Sequence, residues 1–147
     1  MHYVVAPQGY ARDDEAMPTP DPRSFSQAWL EAFNAHDLEA LLSHFADDVV
    51  FTTPVAARAL PETGGVVRGI DALRAYWTLA LEKVPALHFD LLGVYAGIDT
   101  LVLNYRNQAG GQACEVLIFR GDLVSEGHAT YLGASAQAGG APTTSGR

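Results

Sequence analysis

Apolar residues recur at helical spacing in three stretches of the first half of the chain. The spacing i, i+4 and i+8 in the first stretch predicts a helix over 24–35, with a stripe formed by Phe25, Trp29 and Phe33. A second helix is predicted directly after Asp37, a good N-cap residue, and a third between Gly69 and Pro85. Their apolar faces consist of Leu38, Leu41, Leu42 and Phe45, and of Leu73, Trp77, Ala80, Leu81 and Val84.

The second half of the chain alternates apolar and polar residues between glycine-containing turns, which predicts strands. They are placed at about 86–95, 100–108, 112–120 and 123–132, after a short strand over 49–53. Residues 54–68 are predicted to form a long loop, which in a compact domain is often a functional lid or rim. Helices followed by an antiparallel meander indicate an α+β domain.

The length of 147 residues is enough for one domain. Residues 1–23 are rich in proline and charge, and residues 133–147 contain no Leu, Ile, Val or aromatic residue. Both segments are predicted to be flexible tails, because they offer little apolar surface to offset the entropy of ordering them. The folded unit is therefore expected over 24–132.

Charge and cysteine content limit the partners of this chain. Nine Lys and Arg residues against 17 Asp and Glu give a net charge of −8, which argues against binding to nucleic acid. The one cysteine, Cys114, excludes an intramolecular disulfide and a cysteine zinc cage, and no cofactor or metal motif is found. No apolar run suffices for a membrane span or a signal peptide, so a cytoplasmic location is expected. A small molecule or a second copy of the chain is the expected partner.

The turns of the last two hairpins predict which residues face one another. With two-residue turns at Gly110-Gly111 and Gly121-Asp122, Arg106 lies opposite Glu115, and Glu115 lies opposite His128. The next row across the strands is Asn104, Leu117 and Glu126. The other sheet face is expected to be mostly apolar, with Leu103, Tyr105, Cys114, Val116 and Ile118.

The predicted row of Arg106, Glu115 and His128 is suited to proton chemistry. A carboxylate that orients an imidazole leaves the other ring nitrogen of His128 free as a general base near neutral pH. Arg106 would lower the pKa of Glu115 and keep it ionised. The alternative is purely structural, since opposite charges on neighbouring strands stabilise a sheet by about 0.2–1 kcal/mol without any chemistry.

Three segments carry a resemblance to a known family. Residues 26–54, with the sequence SQAWLEAFNAHDLEALLSHFADDVVFTTP, resemble the first helices and strand of the nuclear transport factor 2-like superfamily. Residues 67–73 (VRGIDAL) and 105–108 (YRNQ) are similar to the same superfamily. The likeness is to its SnoaL-like group, related to ketosteroid isomerases, polyketide cyclases and limonene epoxide hydrolases, and it covers about 24–132.

The resemblance implies a cone of three N-terminal helices packed in a curved antiparallel sheet, with an apolar pocket at its open end. It also implies a homodimer through the outer sheet face. Ketosteroid isomerase activity is not expected, because the positions that match its functional residues hold Trp29, Thr53 and Leu117. The side chains expected to bind substrate in the pocket are Asn104, Leu117, Glu126, Trp29, Thr53 and Trp77.

The activity that the resemblance implies is cofactor-free proton-transfer chemistry of the SnoaL-like type. A small apolar or polyketide-like molecule would undergo cyclisation, isomerisation or dehydration. His128 would be the general base or acid, oriented by Glu115, while Arg106 and Asn104 bind a polar oxygen or an enolate. Two alternatives stay open: a non-catalytic cone that binds an apolar ligand or mediates dimerisation, and an epoxide hydrolase in which Glu115 activates water.

Overall fold

A computed structural model describes residues 19–133 of the chain. Residues 1–18 and 134–147 of the predicted tails lie outside this range, and the last two residues of the first predicted tail belong to a helix that begins at Pro22. The helices within the described range are α1 (Pro22–Asn34), α2 (Leu38–Leu42), α3 (Pro54–Ala59) and α4 (Ile70–Lys83), with a 3-10 helix at Pro61–Thr63. The strands are β1 (Phe45–Thr52), β2 (Val66–Arg68), β3 (Phe89–Ala96), β4 (Thr100–Asn107), β5 (Gln112–Arg120) and β6 (Leu123–Tyr131). None of the helices in residues 19–133 is long and apolar enough to cross a membrane.

The three predicted helices are present, but the second ends at Leu42, so Phe45 belongs to β1 and not to the apolar face of that helix. Capping residues explain where the first two helices begin. The Asp21 carboxylate accepts a hydrogen bond from the Ser24 N–H at 2.9 Å, and Pro22 occupies the first turn of α1, where no N–H is required. Asp37 caps α2 in the same way, through the Ala40 N–H at 3.1 Å. Local side-chain contacts therefore mark where these two helices begin.

The prediction of a long loop over 54–68 is wrong, because this segment contains α3, the 3-10 helix and β2. The hydroxyl oxygen of Thr53 accepts from the Val55 N–H at 3.1 Å, so the proline that ends β1 also begins a helix. The Thr53 N–H donates to the carbonyl oxygen of Gly65 at 3.0 Å and ties the two ends of the segment together.

The six strands form one curved, open sheet in the order β2-β1-β6-β5-β4-β3. β1 and β6 run parallel, which corrects the expectation of a wholly antiparallel sheet, and the other neighbours are antiparallel. We call the face that packs against the helices the inner face and the opposite one the outer face. The predicted α+β class, with N-terminal helices against a curved sheet, is confirmed.

Trp29 of α1 is at the centre of the core between the helices and the inner face. It is 0% exposed, and its ring centroid lies 5.0, 5.8 and 5.5 Å from those of Phe33, Phe89 and Tyr105. Fully buried leucines of the central strands complete this layer: Leu101, Leu103 and Leu117. Burying one such side chain contributes about 1.5–3 kcal/mol.

The β4–β5 hairpin differs from its prediction because its turn is longer. Residues 108–111 separate the strands, and the side-chain oxygen of Asn107 accepts from the N–H groups of Ala109 and Gly111 at 2.9 and 3.0 Å. Arg106 consequently lies opposite Gln112, and not opposite Glu115. The register moves by an odd number of residues, so the faces of β5 are exchanged relative to β4.

The β5–β6 hairpin begins with the predicted two-residue turn but leaves the predicted register at a bulge. Arg120 pairs with Leu123 and Phe119 with Val124, whereas Ile118 pairs with Glu126. Ser125 is therefore an extra residue in β6. Beyond this bulge Glu115 lies opposite Ala129, and His128 lies opposite Val116.

Gly127 marks a close approach between β6 and a ring of β1. A Cβ atom at this position would lie 2.7 Å from Cδ1 and 2.9 Å from Cε1 of Phe51. Both distances are shorter than carbon–carbon contact distances, so a side chain here would have to displace the ring. Gly127 thus leaves room for the ring of Phe51, which forms part of the cavity described below.

Candidate functional site

Glu115 is the one charged residue that is buried within residues 19–133, with 4% of its surface exposed. It projects from β5 onto the inner face, where its strand neighbours are Leu103 and Ala129. None of the ion pairs found among the described residues includes it. A buried carboxyl without a cationic partner is expensive in its ionised form, so its position calls for a functional explanation.

The carboxyl of Glu115 borders a cavity of about 70 Å³ between the inner face and the helices, which we call the inner cavity. Most of its wall is aromatic: Phe33, Phe51, Tyr76, Trp77, Phe89, Tyr105 and Tyr131. These rings come from two helices and four strands, so the tertiary fold assembles the wall. An apolar cavity with a few convergent polar groups is the usual form of a small-molecule site.

Burial controls the acidity of Glu115. Removal from water raises the pKa of its carboxyl to about 7, and a hydrogen bond from Tyr105 opposes this rise. The Tyr105 hydroxyl donates to Oε1 of Glu115 at 3.2 Å. Burial and the neighbouring Glu115 charge raise the pKa of Tyr105, so the phenol keeps its proton as a donor. Near neutral pH the carboxyl is thus poised between its two protonation states.

Two further phenols, from Tyr76 of α4 and Tyr131 of β6, line the same cavity. Burial raises the pKa of Tyr76 to about 12 and also raises that of Tyr131, while a hydrogen bond with Thr53 opposes both shifts. The Glu115 charge contributes to the rise in pKa of both phenols. Thr53 itself is buried, with 3% exposed. Phenols from three elements therefore line the cavity that the Glu115 carboxyl borders, and that of Tyr105 donates to the carboxyl directly.

The structure does not bring together the predicted row of Arg106, Glu115 and His128. Glu115 lies on the inner face, whereas His128 and Arg106 project from the outer face, so the proposed orientation of His128 by Glu115 is wrong. The long β4–β5 turn and the Ser125 bulge are the physical reasons. Leu103 and Tyr105 were predicted to lie on the face opposite Glu115, but they are buried on the inner face with it. The long β4–β5 turn is the reason for this difference.

His128 instead forms a hydrogen-bonded chain on the outer face. Its Nδ1 lies 2.7 Å from the hydroxyl oxygen of Thr52, and its Nε2 lies 2.8 Å from a carboxylate oxygen of Glu126. Asn104 is on this face as well, opposite Cys114. The predicted row of Asn104, Leu117 and Glu126 is therefore also wrong, because Leu117 faces inward between Leu101 and Gly127.

The other predicted binding residues lie inside the fold but not all in the cavity wall. Trp77 lines the inner cavity, whereas Thr53 is not in the cavity wall, although its hydroxyl lowers the pKa of the wall residues Tyr76 and Tyr131. Trp29 packs behind Tyr105, and its indole N–H has no hydrogen-bond partner among the described residues. Of these three residues, only Trp77 lies in the cavity wall, and a role in binding stays a prediction for all of them.

The three phenols that line the inner cavity with Glu115 were not predicted from the sequence as site residues. Tyr76 sits on the predicted helix beside Trp77, and Tyr105 shares the alternation of Leu101 and Leu103. That alternation indicates that Tyr105 faces inward with the two leucines. The prediction instead relied on a two-residue turn at Gly110-Gly111, which placed Tyr105 on the opposite face. Residues 19–133 contain no group of three or more His, Cys, Asp or Glu residues placed to hold a metal ion.

Comparison with known proteins gives a consistent family result. Residues 26–129 match the family model described as a SnoaL-like domain. A SnoaL-like protein of unknown function from Burkholderia thailandensis is 38% identical, with a TM-score of 0.73, over 76% of this chain and 94% of that one. A search of curated proteins finds no match.

More distant solved structures share the fold. A candidate polyketide cyclase from Sinorhizobium meliloti is 13% identical, with a TM-score of 0.61, over 73% of this chain and 94% of that one. A candidate isomerase of the SnoaL-like family from Agrobacterium tumefaciens is 16% identical, with a TM-score of 0.61, over 76% of this chain and 97% of that one. At these identities the likeness shows the common fold, and chemistry must be argued from the site.

Proposed function

Since the chain belongs to the SnoaL-like domain family, we propose that it is a small-molecule enzyme in which Glu115 transfers protons within the inner cavity. One observation carries this proposal. The cavity contains a single buried carboxyl whose pKa is raised to about 7, near the pH at which a general acid or base works best. Two structural neighbours named as candidate cyclase and isomerase support the same reaction class.

Each polar group of the cavity has a distinct role in this proposal. Ionised Glu115 accepts a proton from a carbon next to a carbonyl, and the electron pair moves onto the carbonyl oxygen. The hydroxyls of Tyr76 and Tyr131 donate hydrogen bonds to that oxygen as its negative charge develops. Tyr105 is a positioning residue, because its hydroxyl holds Oε1 of Glu115. Return of the proton to another atom completes an isomerisation, and loss of a leaving group or ring closure gives dehydration or cyclisation.

Exchange of carbon-bound protons with solvent tests this function without knowledge of the natural substrate. Incubated with cyclopentanone in D₂O, the protein is expected to accelerate loss of the α-proton NMR signal. The rate should rise with pH and level off above about 7, because only the ionised carboxyl accepts a proton. A rate equal to that of buffer alone, or one that does not change between pH 5 and 9, would contradict the proposal and favour a cone that only binds ligands.

A second copy of the chain is the partner that we propose for the outer face. Half-buried apolar side chains of β4 and β5 form its centre, and Tyr95 at its edge is 62% exposed. The central residues are Val102, Val116 and Ile118. Their burial against an identical face would remove apolar surface from water.

Replacement of a central valine by an acid is expected to dissociate this dimer. Val116→Asp should raise the dimer dissociation constant at least about 100-fold, because it places an unpaired charge in the interface. Sedimentation equilibrium measures the constant, and Gln27→Asp on the exposed side of α1 is the control. A monomeric wild-type protein, or an unchanged constant in Val116→Asp, would show that this face is not the interface.

A further inference from the structure

The inner cavity combines an aromatic wall with one acidic group and no basic one. Of its twelve lining residues, seven are aromatic and only Glu115 carries a formal charge. Arg58 of α3 is exposed and does not line the cavity, although its charge lowers the pKa of the Tyr76 and Tyr131 phenols. An anionic ligand would therefore meet the Glu115 charge without a compensating cation.

We propose that the inner cavity binds a compact organic ammonium ion, with its nitrogen against Glu115 and its alkyl groups against the aromatic wall. Ionised Glu115 lacks a cationic partner in the described part of the chain, and a bound ammonium supplies one. Aromatic side chains attract alkylammonium ions through their ring quadrupoles, and they do so most strongly where water is excluded. Phe33, Phe51 and Trp77 provide such surfaces around the carboxyl.

The volume of the inner cavity limits the size of this ligand. About 70 Å³ corresponds to about five water-sized positions. A branched amine with about five heavy atoms fits that space, whereas a polycyclic molecule exceeds it several-fold. The ligand class is thus small amines.

This inference rests on the proposed function, because it names the ligand class of the same carboxyl. An ammonium hydrogen-bonded to Glu115 can pass one proton to it, breaking an N–H bond and forming an O–H bond. In an amine that also carries a carbonyl group, the lone pair of the neutral nitrogen forms a C–N bond while the C=O π bond breaks and its electron pair moves onto the oxygen, to which the hydroxyls of Tyr76 and Tyr131 donate hydrogen bonds. Proton transfer to Glu115 is therefore compatible with an amine substrate, in which nitrogen takes the place of the carbon that Glu115 deprotonates in the proposed function.

The pH dependence of binding identifies the group that recognises the ammonium. Tyr105 of β4, Tyr131 of β6 and Tyr76 of α4 face Glu115, and their pKa values are all raised above the ordinary value. These phenols stay neutral below pH 9, and alkylammonium ions keep their charge there as lysine does. Any change in ammonium affinity between pH 5.5 and 8.5 is therefore expected to follow the ionisation of Glu115.

A matched pair of ligands, tert-butylammonium and tert-butanol, separates charge from shape. By NMR titration of the full chain at pH 8.5, the ammonium is expected to bind at least tenfold more tightly than the alcohol. Its affinity should fall about thirtyfold at pH 5.5, where Glu115 with a pKa of about 7 is mostly protonated. The affinity of the uncharged alcohol should change less than threefold.

Two variants complete this experiment. Glu115→Gln keeps the side-chain shape and should lose both the preference for the ammonium and its pH dependence, while tert-butanol still binds. Glu31→Gln, which removes an exposed acid from α1, should behave as wild type. Equal affinities for the two ligands, no binding of either, or a preference that survives in Glu115→Gln would overturn the inference. Cyclopentanone exchange is read separately, so loss of ammonium binding with exchange retained rejects only the ligand class.

Discussion

Replacing Glu115 by glutamine is expected to lower the rate of cyclopentanone exchange by about 10²- to 10⁴-fold, because the amide cannot accept the proton. The same variant should be more stable than wild type at pH 8, by about 3 kcal/mol in free energy of unfolding. Wild type must hold an unpaired carboxylate in an aromatic cavity at that pH, whereas glutamine is neutral and can still accept the Tyr105 hydroxyl. Function and stability are therefore expected to change in opposite directions.

The pH window of this stability difference follows from the two pKa values of the carboxyl. Below its ordinary value of 4.5 the carboxyl is protonated in both the folded and the unfolded chain. Between 4.5 and about 7 the unfolded chain loses the proton while the folded protein keeps it, so the contribution of Glu115 to stability falls as pH rises. Above about 7 both states are ionised and the contribution is constant.

Urea unfolding at pH 4.5 and pH 8 measures this difference in wild type, Glu115→Gln and the surface control Glu31→Gln. Relative to Glu115→Gln, wild type should lose about 3 kcal/mol between the two pH values. The control should lose the same amount as wild type, because Glu31 is exposed. If the free energies of unfolding of wild type and Glu115→Gln changed by the same amount between pH 4.5 and pH 8, the carboxyl would not be desolvated as described.

Trp29→Ala is expected to reduce the free energy of unfolding by about 3–5 kcal/mol. The indole is 0% exposed and contacts the rings of Phe33, Phe89 and Tyr105, so its removal leaves a large void where α1 meets β3 and β4. The loss also removes support from Tyr105, which positions Glu115.

Trp29→Phe is the matched variant for this prediction. It keeps an aromatic ring and removes the buried indole N–H that lacks a partner among the described residues, so a loss of only about 1 kcal/mol is expected. Urea unfolding of both variants at one pH gives the comparison. A loss below 1 kcal/mol in Trp29→Ala would mean that the core collapses into the space of the indole.

Local sequence patterns predicted that α1 and α2 exist, but not all of their ends. Apolar periodicity indicated both helices and Asp37 marked the start of α2, whereas the start of α1 at Pro22 depends on capping by Asp21, which was assigned to the tail. The turn at Gly121-Asp122 closes β5 and β6 as expected. The β4–β5 turn was missed because the Asn107 side chain organises a longer loop than the glycine pair alone suggests. Turn length is decided by such side-chain contacts, which a dipeptide pattern does not contain.

Glu115 was identified from sequence as a candidate site residue, but its neighbours were not. Both faces of β5 are largely apolar, so alternation alone does not decide which of them points toward the helices. The phenols of Tyr76, Tyr105 and Tyr131 come from three separate elements. Strand register brings Tyr105 and Tyr131 together, because both lie opposite Ala113 of β5, which shares the inner face with Glu115. Tyr76 joins them only through the packing of α4, which no spacing in the sequence encodes.

The bulge at Ser125 bears on how this strand can change in length during evolution. Ser125 is the residue that β6 has in excess of its partner, so Val124 and Glu126 already pair with consecutive residues of β5. A deletion of the Ser125 codon would turn the bulge into a regular ladder and leave Gly127 and Ala129 facing the interior. Loss of one residue at this position of β6 is therefore expected to keep the cavity wall and the outer surface on their present faces of the sheet.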